Sequence, residues 1–252
     1  DGDAVVLLAD AENVDLTISK AIILNTNGRT LTGTLAYAAV ENVKLTSVGD
    51  GLTVKIGDKT AAFEADTAGG LMVVKSAADE SGNLDIYTLE GLQDFANAVD
   101  KGTTYKNLTV TLMSDIDLNN EMWTPIGRNA DSSNKFQGTF DGSGKTISHL
   151  TVEAAVEYGA TGFFGALNGT ARNFTLDGVT IDSVSYGAAS GSTSNGIAAV
   201  AGSIYNSGSI EGVTVKNATI HGNRYVGGIA GYVYGQIKNC TVENSTISAT
   251  PD

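Results

Sequence analysis

The stretch TGFFGALNGTARNFTLDGVTI (161–181) is followed by two segments of similar pattern, AAVAGSIYNSGSIEGVTVKNATI (198–220) and GGIAGYVYGQIKNCTVENSTI (227–247). In each segment a glycine-containing start leads into short stretches in which apolar and polar residues alternate. Internal repeats with a period of about 20–50 residues are typical of solenoids and other repeat folds. These three segments therefore decide the fold class that the sequence predicts.

When the repeats are superimposed, their apolar residues fall into columns. Within each predicted strand these residues lie two apart, as expected for a strand with one buried face. Gly and Asn occupy the corners, because both tolerate a left-handed backbone. The pattern predicts an all-β, parallel β-solenoid in which like residues stack about 4.8 Å apart. The columns are Leu167/Ile204/Val233, Phe174/Val213/Cys240, Leu176/Val215/Val242 and Ile181/Ile220/Ile247, and the corner residues are Gly178, Asn217 and Asn244.

A helix is predicted upstream of the repeats, in the segment YTLEGLQDFANAVDKG (87–102). Its apolar residues recur at helical spacing, and Thr88 precedes them as the predicted N-cap. We expect this helix, at about residues 88–100, to cover the open apolar end of the solenoid. Residues 84–252 are thus predicted to form a solenoid with an N-terminal amphipathic cap helix.

Residues 1–80 are predicted to be a β-rich N-terminal domain, either a smaller β domain or an irregular extension of the solenoid. NTNGRTLTG (25–33) is similar to DGSGKTISH (141–149), which favours the extension. A cap helix after this region favours a separate domain instead. The polar stretch SAADESGNLD (76–85) is predicted to be the linker.

The composition excludes several classes of function. The 252 residues carry a net charge of −13, and binding of nucleic acid or an anionic membrane needs clustered Lys and Arg. One Cys and two His (His149 and His221) give no multi-Cys or His-rich pattern, so we expect no metal and no cofactor. No apolar run approaches the about 18 residues of a membrane-spanning helix. We expect a monomer that forms part of a longer, exported chain.

Two groups of acidic residues are candidates for chemistry. Asp115 and Asp117 lie two apart on a predicted strand and could bind calcium or act as an acid–base pair. Ile116 and Leu118 would then face inward. This favours the interpretation that both acids lie on the solvent-exposed face of the strand and have no catalytic or calcium-binding role. Asp141 lies in a glycine-rich segment that reads as a tight turn. The repeats carry no recurring acid cluster, so no catalytic residue is predicted.

Tyrosines are the candidate ligand-binding residues. Tyr205 and Tyr234 each follow the corresponding glycine of their repeat by three residues, so we expect them one coil apart. Exposed aromatic side chains in a row can stack on sugar rings or anchor a protein partner. They can equally cover a corner of the solenoid. Further tyrosines in neighbouring segments are Tyr225, Tyr232, Tyr186 and Tyr158.

An ordered run of motifs carries a resemblance to a known family. MSDIDL (113–118), WTPIG (123–127) and FQGTFDGSGKTISHL (136–150) precede the GFFG and GGIAG segments of the repeats. This order resembles the GLUG-repeat β-helix proteins. The resemblance covers residues 84–252 and leaves residues 1–80 without a family.

The resemblance implies a right-handed parallel β-helix of the pectate-lyase-like kind on an exported, surface-displayed bacterial protein. It brings no catalytic residue with it. The first repeat departs from the pattern at Thr161, Gly162 and Ala171, which fits a coil near the start of the repeats.

The favoured function is therefore that of a non-catalytic module of an exported bacterial cell-surface protein, in adhesion or display. The expected partner is a glycan or a host surface protein, and the expected location is extracellular or on the cell surface. The ligand-binding residues would be Tyr205, Tyr225, Tyr232 and Tyr234. One alternative is a polysaccharide lyase or hydrolase, which needs a groove with an acid cluster and an opposed Arg or Lys. The other is a structural spacer, which would lack aromatic clustering.

Overall fold

The structure, a computed structural model, divides into two compact units, residues 1–91 and 92–252. Tyr158 and Tyr186 lie outside the residues that it describes. The described residues are 3–65, 70–127, 135–153, 160–183, 196–205, 207–223 and 225–250.

The first unit is a β structure in which parallel pairing gives way to antiparallel pairing. Its strands are β1 (Ala4–Val6), β2 (Ala11–Ile18), β3 (Ile23–Asn25), β4 (Leu31–Tyr37), β5 (Leu52–Ile56), β6 (Lys59–Ala65), β7 (Met72–Ala78) and β8 (Leu84–Ile86), with a 3-10 helix at Val40–Asn42. β1 pairs with β3, β2 with β4 and β4 with β5, all in parallel. From β5 to β8 each strand pairs with the next in antiparallel fashion. Leu35 and Leu45 are fully buried at the centre of this unit.

The polar stretch at residues 76–85 is a hairpin, so the prediction of a linker there was wrong. Asp79 closes the turn, because its Oδ1 accepts hydrogen bonds from the N–H groups of Ser81 at 2.9 Å and Asn83 at 3.0 Å. The side-chain bond from Asn83 and these backbone bonds hold the pKa of Asp79 below its ordinary value. A turn closed by its own side chain has the same polar composition as a linker, and composition alone does not separate the two.

The helix α1 spans Leu89–Asp100, and Thr88 caps its start. The Thr88 hydroxyl oxygen accepts a hydrogen bond from the Gly91 N–H at 3.3 Å, which confirms the predicted N-cap. Leu92 and Val99 are fully buried on the apolar face that the sequence indicates. Among the described residues, no helix is both long and apolar enough to cross a membrane.

Phe95 joins this helix to the core of the second unit. Its ring centroid lies 5.1 Å from that of Tyr105, 5.5 Å from Phe136 and 6.0 Å from Phe140. Phe140 in turn contacts Phe174 of the next turn of the chain at 5.5 Å. The interior of the second unit therefore begins as a cluster of aromatic rings, most of them edge to face, and Phe95 is the contribution of the helix to it.

Short parallel strands build the second unit. They are β9 (Thr109–Leu112), β10 (Ile116–Asp117), β11 (Thr139–Asp141), β12 (Thr146–Ser148), β13 (Thr151–Glu153), β14 (Phe164–Leu167), β15 (Thr170–Arg172), β16 (Thr175–Asp177), β17 (Thr180–Ser183), β18 (Ile197–Ala198), β19 (Ala201–Ile204), β20 (Ser209–Glu211), β21 (Thr214–Lys216), β22 (Thr219–Gly222), β23 (Val226–Gly227), β24 (Ala230–Val233), β25 (Gln236–Lys238), β26 (Thr241–Glu243) and β27 (Thr246–Ala249).

These strands stack into parallel faces, which makes the second unit all-β and solenoid-like outside its helix. Face A contains β9, β11, β15, β20 and β25, paired in that order. Face B contains β10, β12, β16, β21 and β26, and face C contains β13, β17, β22 and β27. A smaller set joins β14, β19 and β24. One circuit through the faces is called a coil below.

The pairing register confirms three of the four predicted apolar columns, those that begin at Leu167, Leu176 and Ile181. Leu176 pairs with Val215 and Val215 with Val242, while the column of Ile220 and Ile247 is aligned in the same way. Val215 and Ile220 are fully buried. Like residues therefore do stack on like residues between successive coils, as a solenoid requires.

The corners between faces are made by residues with positive φ. Between faces B and C the chain turns at Gly178 (φ 71°), Asn217 (φ 51°) and Asn244 (φ 51°), which confirms the predicted corner residues. Gly and Asn adopt this left-handed conformation at lower cost than other residues. An equivalent corner separates faces A and B and is formed by Asn173, Gly212 and Asn239.

Candidate functional site

Three of the four predicted tyrosines come together in the last coil. The ring centroids of Tyr225 and Tyr232 lie 5.4 Å apart, and those of Tyr232 and Tyr234 lie 5.0 Å apart. Both pairs meet edge to face, at 76° between ring planes, which is a favoured geometry for aromatic pairs. The exposed fraction is 62% for Tyr234 and 40% for Tyr225. Tyr225, Tyr232 and Tyr234 are called the tyrosine cluster below.

Local sequence explains how these rings meet. In β24 and the residue after it, Tyr232 and Tyr234 alternate with Val233, so both tyrosines extend to the same side of the strand. Tyr225 lies in a preceding turn with φ of 50°. A Cβ atom on Gly231 would lie 2.3 Å from the carbonyl oxygen of Tyr225. Glycine at position 231 therefore lets the Tyr225 backbone approach the strand that carries the other two rings.

Tyr205 lies one coil before Tyr234, as the spacing predicts. Ile204 pairs with Val233, and the Tyr234 N–H donates a hydrogen bond to the Ile204 carbonyl at 2.9 Å. The environment of the two side chains differs, however. The Tyr205 ring is half-buried, and the Lys135 ammonium lies 4.2 Å from its centroid, within cation–π range. Lys135 thus occupies the ring face of Tyr205, whereas Tyr234 is largely open to solvent.

A polar groove runs along face A of the second unit. It has a volume of about 380 Å³, and its lining includes the side chains of Lys106, Asn107, Gln137, Asn168 and Ser207. These groups are amides, a hydroxyl and one ammonium, which donate and accept hydrogen bonds without a carboxylate among them. The groove is therefore chemically suited to a polar ligand that forms hydrogen bonds.

A column of glycines shapes this groove, and the sequence analysis missed it. Gly138, Gly169 and Gly208 each come directly before a strand of face A. A Cβ atom on Gly169 would lie 2.1 Å from the Gly138 carbonyl oxygen, so successive coils approach closely there. The signal that could have revealed the groove is the recurrence of glycine one residue before the first residue of each strand.

Asp115 and Asp117 lie on the solvent-exposed face of their strand region, as the sequence pattern favours. Ile116 is buried and Asp117 is exposed. The Asp117 carboxylate lies 2.8 Å from His149 Nδ1. The backbone N–H of Asn119 and the His149 ring together hold the pKa of Asp117 below its ordinary value. Asp115 accepts a hydrogen bond from a backbone N–H at 2.7 Å, so both acids have structural partners.

The Asp141 carboxylate is also held by hydrogen bonds within the fold. Its Oδ1 accepts a hydrogen bond from the Ser143 N–H at 2.9 Å, which closes the predicted turn. Its Oδ2 accepts from Arg172 Nε at 2.9 Å, and the Asn173 amide donates to Oδ1 at 3.3 Å. Partial burial raises the pKa of Asp141, but these hydrogen bonds outweigh burial, so the pKa lies below its ordinary value.

Along face A, charges at the third strand position alternate in sign from coil to coil. Asp141 pairs with Arg172 of the next coil, and in the two coils that follow, Glu211 Oε1 lies 3.5 Å from Lys238 Nζ. On face B, Lys216 Nζ lies 3.6 Å from Glu243. Across the described ranges, no group of three His, Cys, Asp or Glu side chains is placed to hold a metal ion.

The first unit holds a pair of interacting carboxyl groups that sequence reasoning missed. Lys75 Nζ contacts Glu90 Oε1 at 2.8 Å, which lowers the pKa of Glu90. Burial and a hydrogen bond with Glu90 raise the pKa of Glu64. The two glutamates are more than 20 residues apart in the sequence, which is why no local motif reveals them.

Comparison with known proteins adds to this geometry. The GLUG motif matches residues 222–248. Halomucin from Haloquadratum walsbyi is 30% identical over 71% of this chain, which corresponds to 2% of the length of halomucin. A crystal structure of a proposed immunoglobulin A1 protease from Bacteroides ovatus is similar with a TM-score of 0.52 and 20% identity, over 68% of this chain and 50% of that chain. That similarity is one of fold alone.

The matched residues correspond to the last coil, from the end of β22 through β27, and include the tyrosine cluster. The chain spans only a small part of the length of halomucin. This chain carries the GLUG motif in a coil that repeats the pattern of the coils before it.

Proposed function

We propose that the chain is a non-catalytic module of an exported cell-surface protein, and that it binds a glycan through the tyrosine cluster. In this proposal residues 92–252 wind as a right-handed parallel β-helix, with α1 as the cap of its first coil. The packing of Phe95 against Phe136 and Phe140 supports the cap. The GLUG motif and the similarity to halomucin support a surface location.

The observation that carries the binding proposal is the exposure of three adjacent aromatic rings. Tyr232 and Tyr225 pack edge to face, which holds Tyr234 beside them at 62% exposure. Aromatic side chains have few rotatable bonds, so they lose little conformational entropy when a ligand stacks on them. Sugar rings offer flat C–H surfaces for such stacking, and the phenolic hydroxyls provide hydrogen bonds at the edge.

The chemistry of the groove on face A supports binding over catalysis. Glycoside hydrolysis uses a pair of carboxyl groups at a fixed separation. The residues that line this groove in the described structure are amide, hydroxyl and glycine residues with Lys106. Asp115, Asp117 and Asp141, the acids singled out by the sequence, are each held in turns or ion pairs. We therefore propose that the module retains a glycan without cleaving it.

A glycan-array screen tests this proposal. The full chain, a Tyr225→Ala/Tyr234→Ala variant and a Tyr205→Ala variant are compared on the same array. We expect the double variant to bind at least about tenfold more weakly than the full chain, since loss of about 1.4 kcal/mol corresponds to that factor. Met113→Ala is the matched control, because it removes another exposed apolar side chain of the second unit.

The outcomes separate the alternatives. Equal binding by the double variant and the full chain would move the site away from the tyrosine cluster. Loss in Tyr205→Ala alone would place the site one coil earlier, at the ring beneath Lys135. If the folded full chain binds no glycan on the array, glycan binding is contradicted, and a protein-binding adhesin or a structural spacer is favoured.

A further inference from the structure

The groove on face A is built from columns of residues that run across four successive coils. Its lining includes Asn107, Gln137, Asn168 and Ser207, each of which comes two residues before the first residue of a face A strand. The strands that follow them, β9, β11, β15 and β20, pair in register, so the four residues occupy equivalent positions. At about 4.8 Å from coil to coil, this column is about 14 Å long and runs across the strands. Asn107, Gln137 and Asn168 are called the amide column below.

A second column, of hydroxyl groups, lies beside the amide column. Thr139 and Thr170 are the first residues of β11 and β15, and both line the groove. Gly138 and Gly169 lie between the two columns, and a Cβ atom on Gly169 would lie 2.1 Å from the Gly138 carbonyl oxygen. The glycines therefore let successive coils approach closely. Amide and hydroxyl groups consequently recur from coil to coil along the groove.

The side chains of the amide column are available to a ligand. Within the described part of the chain, no hydrogen bond joins the side-chain amides of Asn107, Gln137 or Asn168 to another group. The corner amides of Asn173 and Asn217, by contrast, donate to carboxylates. Gln137 and Asn168 are half-buried, and a polar group that loses contact with water without gaining a partner is costly. A ligand in the groove supplies that partner.

The lining indicates a ligand rich in hydroxyl groups rather than a peptide or a nucleic acid. An extended peptide adds to a sheet at a free strand edge, but β11 and β15 are each paired on both sides. A nucleic acid needs clustered cations, whereas Lys106 is the one charged side chain among the described residues of the lining. Amide side chains both donate and accept hydrogen bonds, as the hydroxyl groups of a sugar do.

We propose that this groove binds a linear polysaccharide lengthwise, along the direction in which the coils stack, with successive sugar residues hydrogen-bonded to successive members of the amide column. A single hydrogen bond contributes little net free energy, so the ligand must be long enough to contact several coils. This site goes beyond the proposed function, because it is separate from the tyrosine cluster and does not require that cluster to bind sugar.

Calorimetric titration with linear oligosaccharides of increasing length tests this binding. The probes are β-1,4-linked chains of glucose, of xylose and of mannose, from one to six sugar residues long. In at least one series, we expect the full chain to bind the six-residue oligosaccharide at least about tenfold more tightly than the disaccharide. Added salt should change this affinity little, because the contacts are hydrogen bonds rather than ion pairs.

Variants of the amide column locate the binding. Gln137→Ala/Asn168→Ala should bind the six-residue oligosaccharide at least about tenfold more weakly than the parent chain. Gln137→Glu/Asn168→Asp keeps the size of both side chains and should also bind more weakly, since a carboxylate does not donate hydrogen bonds. The matched control, Gln93→Ala/Asn97→Ala, removes one glutamine and one asparagine from the exposed surface of α1 and should bind as the parent chain does. Thermal unfolding shows that each variant is folded.

Several results would overturn the proposal. They are equal affinity for the disaccharide and the six-residue oligosaccharide, no binding in any of the three series, a steep loss of affinity with salt, and unchanged affinity in both variants of the amide column. Tyr225→Ala/Tyr234→Ala separates this site from the tyrosine cluster, and we expect it to keep the length-dependent binding. If that variant loses binding while both variants of the amide column keep it, the groove assignment is overturned and the proposed function stands.

Discussion

Single residues with a left-handed backbone determine where each coil turns. Asn217 has φ of 51° and donates its side-chain amide to Asp177 Oδ1 at 2.7 Å. Gly178 occupies the same corner one coil earlier, without any side chain. Conformation is therefore the property that these positions share, and the hydrogen bond is an addition at Asn217.

Replacing Asn217 separates these two contributions. Asn217→Ala should lower the free energy of unfolding of the second unit by about 1–2 kcal/mol, because alanine is strained in the left-handed conformation and does not make the hydrogen bond. Asn217→Gly should cost less, since it loses the hydrogen bond alone. Urea unfolding measures both variants. An equal loss in the two variants would show that conformation does not matter at this corner.

Asp141 is one residue, together with Asp117, through which the stability of the second unit should depend on acid pH. The pKa of Asp141 in the folded state lies below its ordinary value of about 3.9. Its contribution to the free energy of unfolding is therefore fully present above that ordinary value and is lost as the pH falls through the lower folded pKa. Asp141→Asn should lower the free energy of unfolding at neutral pH by about 1 kcal/mol. It should also weaken the loss of stability in acid.

The matched control is Glu211→Gln on the same face. Glu211 and Lys238 are 3.5 Å apart, and their side chains are 40% and 55% exposed, so solvent screens the pair. We expect a much smaller change for Glu211→Gln. Unfolding in urea at several pH values compares the two variants, and an equal acid dependence in Asp141→Asn and the parent chain would refute the assignment.

At the scale of elements, α1 contributes one aromatic residue to the cluster of rings in the interior. Phe95 contacts the rings of Tyr105, Phe136 and Phe140, while Gln93 of the same helix is exposed. A helix held by such contacts depends on its buried face far more than on its intrinsic propensity.

Truncation of this residue tests the role of the helix. Phe95→Ala should lower the free energy of unfolding by about 3–5 kcal/mol, because it leaves a cavity among three rings. Gln93→Ala should change it by less than about 0.5 kcal/mol. Thermal unfolding measures both. A small effect of Phe95→Ala would mean that the helix is not part of the core of the second unit.

Local sequence patterns predict the strands and the corners of the solenoid. They do not predict contacts between side chains that are distant in the sequence. The apolar columns and the corners at Gly178 and Asn217 were predictable, because period-two alternation and residue type carry that information locally. The meeting of Tyr225 with Tyr232 depends on a close backbone approach at Gly231, which the repeats do not reveal. The position of Lys135 over a ring 70 residues away likewise follows from the stacking of coils.

At the scale of the whole molecule, the outer charges and the polar groove fit a module that displays a surface. Lys and Arg total 15 against 28 for Asp and Glu, and the described ion pairs distribute these charges along the faces. The solenoid-like unit repeats its outer positions once per coil, so side chains at equivalent positions of neighbouring coils lie in a row. Such a row suits an extended ligand.

The measurement that tests the central proposal most directly follows the fate of a bound glycan. The full chain is incubated with a polysaccharide that it retains on the array, and the solution is assayed for new reducing ends and for unsaturated ends. The account predicts that the polysaccharide is retained through the tyrosine cluster and recovered at its original length. New chain ends that accumulate with time and with protein concentration would contradict it and would identify a hydrolase or lyase.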